Sequence, residues 1–468
     1  MSDINNTDKK NTNISSTDTN NKNTNDLKNT ACTSAFSTQK ESAENNQFTE
    51  AMKYVCNKEN IDKSYLLNNI ASGKIVILHN KNKDNFVGIG KGLTTKVNAS
   101  IGTSTNHINI EEEVNKAKLA EKNEADTLME LSVGGDLDLI RRTVLGSTSL
   151  PVGTVPLYQA FREAINKYKN PTKMPEELIF EVIEKQCADG ISFMAIHSGL
   201  NLISLERLRK QSYRYAGLVS KGGSYLIAWM IENNKENPLY ERFEDVLKIL
   251  KKYDTVLSLG NGLRAGSTAD SFDRAYMQEL IINCELSEIA RDYGVQAIVE
   301  GPGHIPLDEI EANVKIQKRM SDEAPFYVLG PLVTDVAAGF DHISSAIGAA
   351  MSSAYGADFL CYVTPSEHLG IPSEADVVMG LQAAKIAAHA GDMIKLKKNV
   401  SDINISKARR DVDWEKQFYY SINPEYARSV YEEKNDDNTA GCSMCGDFCA
   451  PLKVRKYFKY EISKGKKA

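Results

Sequence analysis

Beyond residue 95, short apolar runs alternate with longer stretches whose apolar positions recur at helical spacing. Runs rich in Val, Ile, Leu and Phe predict strands at 96–101, 127–133, 152–158, 193–198, 216–220, 255–259, 297–300, 326–329 and 359–363. Helices are predicted between them, at 110–122, 175–187, 269–293 and 373–390 among others. Such alternation implies parallel pairing, in a doubly wound sheet or a (β/α)8 barrel. Nine strands are one too many for a closed barrel, so one run is misread or lies outside it. No Gly-x-Gly-x-x-Gly or P-loop fingerprint sits where a nucleotide-binding sheet needs one. The expected fold is therefore α/β, a (β/α)8 barrel over residues 96–370.

The strand ends repeat a second pattern of polar, glycine-containing text: Asn98-Ala-Ser100-Ile-Gly102, Tyr158-Gln159, His197-Ser198-Gly199, Ser220-Lys221-Gly222-Gly223, Gly260-Asn261-Gly262-Leu263-Arg264 and Glu300-Gly-Pro-Gly-His304. Each alone reads as a turn. Together they place polar groups at one barrel mouth, where barrel active sites are built.

The flanks read differently. Residues 1–46 are dominated by Asn, Thr, Ser and Lys, with no aromatic before Phe36, and so are expected to be disordered. A small α+β domain is expected over 47–95, with helices around Phe48–Val55 and 61–70 and a strand from Gly73 to Asn80. After the barrel, 371–433 reads as helices, with Trp414, Phe418 and Tyr419 expected to be buried. A polar linker over 432–441 then makes 434–468 a mobile arm with a basic tail.

A hydrophobic content of 41% is ample for a core, and a net charge of −6 argues against general affinity for nucleic acid or anionic membrane. There is no signal-peptide pattern, no arginine before Arg141 and no membrane-length apolar stretch, which points to the cytoplasm. Five of the eight cysteines (Cys32, Cys56, Cys187, Cys284 and Cys361) are scattered singly and read as packing residues in a reducing compartment.

The other three are gathered in Cys442-Ser-Met-Cys445-Gly-Asp-Phe-Cys449. Three thiolates in so tight a loop suit a [4Fe–4S] cluster with one iron left open for a ligand. A zinc knuckle is the alternative, although no histidine follows His389 to complete it. A disulfide with a spare thiol is another. At the barrel mouth, His304 after Gly-Pro-Gly and His368 in Pro365-Ser-Glu-His368 can share a divalent ion with open positions, or serve simply as turn residues.

The runs Glu300-Gly-Pro-Gly-His304-Ile-Pro-Leu, Pro325-Phe-Tyr327-Val-Leu-Gly-Pro-Leu-Val-Thr-Asp, Asp341-His-Ile-Ser, Cys361-Tyr-Val-Thr-Pro-Ser-Glu-His368-Leu-Gly and Cys442-Ser-Met-Cys445-Gly resemble the phosphomethylpyrimidine synthase family, collinearly from about residue 48 to Cys449. The resemblance implies a radical S-adenosylmethionine lyase with a central barrel, a mobile cluster arm and a homodimer in which each cluster serves the partner's site. It also implies an external electron donor such as flavodoxin or ferredoxin. Cys442, Cys445 and Cys449 match the cluster ligands, with S-adenosylmethionine as cosubstrate. His304 and His368 match a second metal site, zinc or another divalent ion. Asn98, Met129, Tyr158, His197, Ser220, Lys221, Gly222, Asn261, Gly262, Leu263, Arg264, Glu300 and Tyr327 match the substrate pocket, with Glu300 and His197 as catalytic candidates.

Two pocket positions depart from the family's pattern: Lys221 stands for its usual Arg and Asn261 for its usual Asp. Lysine keeps a charge for phosphate but loses the two-pronged guanidinium. The reaction expected from the resemblance rearranges 5-amino-1-(5-phospho-D-ribosyl)imidazole (aminoimidazole ribotide) to the thiamin pyrimidine phosphate. The alternative within the family is 5-hydroxybenzimidazole from the same ribotide, which begins the cobamide lower ligand. A remoter alternative is a non-catalytic, zinc-stabilised barrel.

Overall fold

The computed structural model describes residues 38–211, 214–435 and 441–457. The chain divides into units 1–35 and 36–468, and every described residue belongs to the second. Two strands form an antiparallel hairpin, β1 (Ile75–Asn80) and β2 (Asn85–Gly90). Eight more are β3 (Lys96–Ile101), β4 (Thr127–Glu130), β5 (Val152–Thr154), β6 (Phe193–Ile196), β7 (Val256–Leu259), β8 (Ala297–Glu300), β9 (Phe326–Leu329) and β10 (Phe359–Cys361). They pair in parallel in chain order, and β10 closes onto β3 through Phe359 opposite Lys96 and Cys361 opposite Asn98. The expected α/β barrel is the fold.

Covered by helices outside and side chains inside, the barrel strands are buried on both faces, which is why they read as continuous apolar runs. Their interior is packed. Tyr327 stacks on Phe359 at 4.2 Å between ring centroids, and Phe193 meets Phe359 edge-on at 6.0 Å. Gly153 makes room for this layer, since a Cβ there would lie 2.4 Å from the Phe193 ring.

The hairpin covers the N-terminal end of the barrel. Its alternation divides it between two cores. Val76, Leu78, Val87 and Ile89 join the barrel core, while Ile75 and Ile77 join a smaller cluster with Met52, Val55, Leu66 and Ile70. Polar ties fix it in place. Ile77 N donates to Gln296 Oε1 at 2.7 Å, Ser192 Oγ donates to the His79 carbonyl at 2.7 Å, and Asn80 Nδ2 donates to the Leu150 carbonyl at 2.8 Å.

Four expectations need correction. The run 216–220 is not a strand: it leads unpaired into the helix Lys221–Asn233, for which Ser220 is the N-cap, and its Val219 is exposed. This removes the surplus ninth strand. Strand β2 was not foreseen, because its two glycines hide the apolar alternation; Gly88 is there because a Cβ would lie 2.6 Å from Val55. Within the segment expected to be disordered, residues 1–37 lie outside the described residues, but Gln39–Glu44 is a helix capped by Thr38. Docking supplies what its composition lacks: Ala43 enters the small core and Thr38 Oγ1 donates to the Gly294 carbonyl at 2.8 Å. Finally, the stretch after the barrel forms the helices Val400–Asp411, Trp414–Tyr419 and Pro424–Lys434, in which Phe418 is buried but Tyr419 is 75% exposed. Tyr419 packs on Tyr420, not on the core.

Candidate active site

Six barrel strands (β3, β4, β6, β8, β9 and β10), with segments that follow β5 and β7, line a cavity of about 310 Å³ at their C-terminal ends. Ser100, Met129, Tyr158, His197, Lys221, Arg264, Glu300, Tyr327, Cys361 and Glu367 are among the residues lining it. Of the residues matched to the substrate pocket, seven therefore meet at one cavity. Asn98, Ser220, Gly222, Asn261, Gly262 and Leu263 do not line it.

Asn98 Nδ2 donates to the Tyr327 hydroxyl at 3.0 Å and so aims the phenol, while its Oδ1 accepts from Thr127 Oγ1 at 2.7 Å. Burial raises the Tyr327 pKa well above 10, so the phenol stays a proton donor. Glu300 Oε1 accepts from Ser258 Oγ at 2.7 Å and Oε2 from the Asn261 amide at 3.3 Å. Burial raises its carboxyl above the usual range, with Arg264 opposing the shift.

Two glycines pack closely against the His197 ring. A Cβ on Gly222 would lie 2.8 Å from the ring, and one on Gly260 would lie 3.1 Å from it. Burial, reinforced by Arg264, lowers its pKa to about 3, so the imidazole is neutral. Its Nε2 lies 3.3 Å from Ser220 Oγ, and its buried Nδ1 has no partner. Asn261 is likewise buried, with neither side-chain polar atom bonded. Lys221 opens the helix Lys221–Asn233, with its ammonium 5.9 Å from the Tyr158 ring centroid. A cationic side chain at a helix N-terminus on the cavity is suited to an anion.

At the rim, the His304 and His368 rings stand 5.2 Å apart, centroid to centroid. Each has a carboxylate behind it: Asp335 Oδ1 lies 2.7 Å from His304 Nδ1, and Asp341 Oδ1 lies 3.1 Å from His368 Nδ1. Asp335 is itself held by the Thr268 amide and hydroxyl at 2.8 and 2.7 Å. This arrangement leaves each Nε2 for a ligand. Burial lowers the His304 pKa, favouring its neutral form. Among the described residues no group of three or more His, Cys, Asp or Glu side chains is placed to hold a metal ion.

The cysteine loop is described from residue 441 onward, whereas 436–440 of its linker and 458–468 of the tail lie outside the described residues. Cys445 is exposed and Cys442 and Cys449 half-buried, and none is in a disulfide. The Gly446 amide donates to the Cys442 carbonyl at 3.0 Å, and Gly446 itself takes a left-handed φ of +49°, turning the chain between the second and third thiols. The loop does not line the cavity.

Residues 38–456 match the Radical SAM ThiC family. The chain belongs to that family. Relatives within it carry two names. A 5-hydroxybenzimidazole synthase from Desulfuromonas acetoxidans is 58% identical, covering 88% of this chain and 96% of its own. One of the same name from Geobacter sulfurreducens is 55% identical, covering 91% and 98%. A phosphomethylpyrimidine synthase from Methanoregula boonei is 51% identical, covering 90% and 99%. Membership of a radical SAM family implies S-adenosylmethionine and an iron–sulfur cluster. No helix among the described residues is long and apolar enough to cross a membrane.

Several site residues went unread in the sequence. Cys361, expected to be a packing residue, lines the cavity with its Sγ 3.4 Å from Ser100 Oγ. Glu367 lines it too, its carboxyl pushed up by burial. Asp335 and Asp341 sit inside family-like runs, but only the fold brings them behind the two histidines.

Proposed function

We propose that this chain is a radical S-adenosylmethionine lyase acting on aminoimidazole ribotide, and that its product is 5-hydroxybenzimidazole. The observation that carries the product is the relatedness: three benzimidazole-named relatives are 55–58% identical and a fourth 51%, against 50–52% for the pyrimidine-named ones. Because the latter cover this chain almost as fully, the thiamin pyrimidine phosphate is the second reading.

The cavity supports a phosphorylated substrate. Lys221 at its helix N-terminus and Arg264 on the neighbouring turn hold the phosphate. Glu300, neutral His197 and Tyr327 surround the imidazole, where the raised carboxyl takes and returns a proton and the phenol donates a hydrogen bond. Met129 and Tyr158 close the apolar sides. Cys442, Cys445 and Cys449 hold the [4Fe–4S] cluster, which with S-adenosylmethionine supplies the radical chemistry that opens the reaction. An external donor such as flavodoxin or ferredoxin supplies the electron.

His304 and His368 hold the second metal, zinc or another divalent ion, with open positions. Metal–nitrogen bonds of ~2.0–2.1 Å at a tetrahedral angle put two Nε2-bound imidazole centroids roughly 5 Å apart, close to the separation present. A homodimer is supported by exposed apolar residues on adjacent helices: Ile343 and Ile347 on Asp341–Tyr355, and Met379 and Ile386 on Glu374–Lys395. In that dimer each cysteine loop serves the partner's cavity.

The test is anaerobic incubation of reconstituted protein with S-adenosylmethionine, reductant and ribotide, followed by mass analysis. A benzimidazole is expected. A pyrimidine phosphate alone selects the second reading, and no conversion of ribotide sinks both. Asn261→Asp restores the family's usual carboxylate and is expected to move product toward the pyrimidine.

A further inference from the structure

The turn Gly260–Arg264 carries Arg264 into the cavity and contains three consecutive amides that all point at carboxylates. Asn261 N faces Glu300 Oε2 at 3.3 Å, Gly262 N donates to Glu279 Oε1 at 2.8 Å, and Leu263 N donates to Glu279 Oε2 at 2.6 Å. Glu279 lies on the helix Arg274–Tyr293, is fully buried and, among the described residues, forms no ion pair with a lysine or arginine. One helical turn further along the same face, Asn283 Nδ2 donates to the Gly260 carbonyl at 3.2 Å. On the opposite side, Arg214 Nη2 donates to the Leu263 carbonyl at 2.5 Å while its Nε pairs with Asp273 at 2.6 Å.

Nothing in the sequence marks Glu279. Its neighbours read as an ordinary amphipathic helix, and a buried carboxylate without a cation partner is costly. Both its oxygens are spent on the backbone of one turn. The space around that turn is equally constrained: a Cβ on Gly223 would lie 2.4 Å from the Gly262 carbonyl oxygen, so the helix Lys221–Asn233 is packed directly against it. The carboxylate thus fixes the turn against the helix that presents Lys221.

We infer that Glu279 is a positioning residue: its carboxylate latches the Gly260–Arg264 turn so that Arg264 meets the substrate's anionic group beside Lys221. The assignment rests on the proposed ribotide reading for the identity of that group. The charged groups facing Glu279 are Arg264 and Arg214, which favour its ionised form, while burial outweighs them and raises its carboxyl to about 7. Above that pH both oxygens accept. Below it one carries a proton that confronts an N–H donor, and the latch loosens.

The experiment compares wild type with Glu279→Gln, which keeps the shape but turns an amide NH₂ toward one of the two backbone donors. The KM for ribotide is expected to rise by roughly tenfold or more, the cost of one buried unmade hydrogen bond. The KM for S-adenosylmethionine should not follow it, and Glu279→Asp should recover part of the loss. In wild type the ribotide KM falls as pH rises through 7, and the Gln variant lacks that limb. Deuterium uptake by the peptide spanning Gly260–Arg264, corrected for intrinsic exchange, is measured in parallel at pH 6 and 8. It is expected to be slower at pH 8 in wild type and equal at the two pH values in the variant. A folded Gln variant with wild-type ribotide KM and pH profile overturns the assignment. If the variant does not fold, wild-type exchange that is equal at the two pH values overturns it. Because exchange needs no substrate, a protein that ignores ribotide refutes the ribotide reading and leaves the latch separately tested.

Discussion

Gly222→Ala should disable the site through a single methyl group. The new Cβ would sit 2.8 Å from His197 Cε1 and 3.1 Å from Nε2. Carbon atoms in ordinary contact lie ~3.5–4.0 Å apart, so ring and helix must separate by roughly 0.7–1.2 Å. The ring has little room to retreat, because Gly260 also packs against it, and an added Cβ there would be 3.1 Å from Nδ1. Overpacking of this kind costs about 1–3 kcal/mol of stability. A displacement near 1 Å of a group that positions substrate costs about 100-fold in rate. Gly146→Ala is the matched control: it lies in the last turn of the helix Leu137–Ser147 and an added Cβ meets nothing within 4 Å. That change should be neutral or stabilise by up to about 1 kcal/mol. The assays are urea unfolding and anaerobic ribotide turnover for both variants. Gly222→Ala within about 0.5 kcal/mol and threefold of wild type would refute the claim that the two glycines pack closely against His197.

Other predictions follow from the same geometry. Replacing Cys442, Cys445 or Cys449 by Ala should abolish S-adenosylmethionine cleavage and lower iron content while thermal unfolding of the barrel is unchanged; a variant that retains a full cluster by iron and sulfide analysis contradicts the assignment. Asp335→Asn should weaken divalent-metal binding by ~10–100-fold, read as metal retained after dialysis, because it frees His304 Nδ1 from its carboxylate. His197, with a folded pKa near 3 against 6.5 when free, stays neutral in the fold and takes a proton on unfolding. Its contribution to stability is therefore complete above pH 6.5 and falls as pH drops toward 3. About 2 kcal/mol should be gone by pH 5, and His197→Gln should show a correspondingly shallower loss in urea titrations at pH 7 and 5.

The barrel was legible because its strands are buried on both faces, so continuous apolar runs bounded by turn residues mark them without help from tertiary structure. The run 216–220 imitates that pattern with Leu218 and Val219, yet it only carries the chain to a helix cap, and no local feature separates the two cases. Strand β2 failed in the opposite sense: Gly88 and Gly90 serve close packing and a positive φ at the cost of strand propensity. Within the site, Arg264 and Glu300 were readable because they end or follow barrel strands, whereas Lys221 was flagged by a run that is no strand and Tyr327 by the family resemblance alone. Glu279 was not, since a glutamate on a helix looks solvated until the fold buries it. The aspartates behind His304 and His368 lie 31 and 27 positions away from their partners, a separation at which only the fold supplies the contact.

The hairpin across the bottom of the barrel also governs ligand traffic. With β1 and β2 tied to Gln296, Ser192 and the carbonyls before β5, the axis is stoppered at one end, and the cavity lies at the strand C-termini. Whatever occupies the deep end must therefore arrive before anything that sits over it and depart after. On the proposed function, a ribotide seated between His197 and Tyr327 should bind first, a cosubstrate at the rim should follow, and release should run in reverse. Inhibition patterns should show this as an obligatory order: a rim-bound product analogue competes with the cosubstrate and traps the deeper ligand in place.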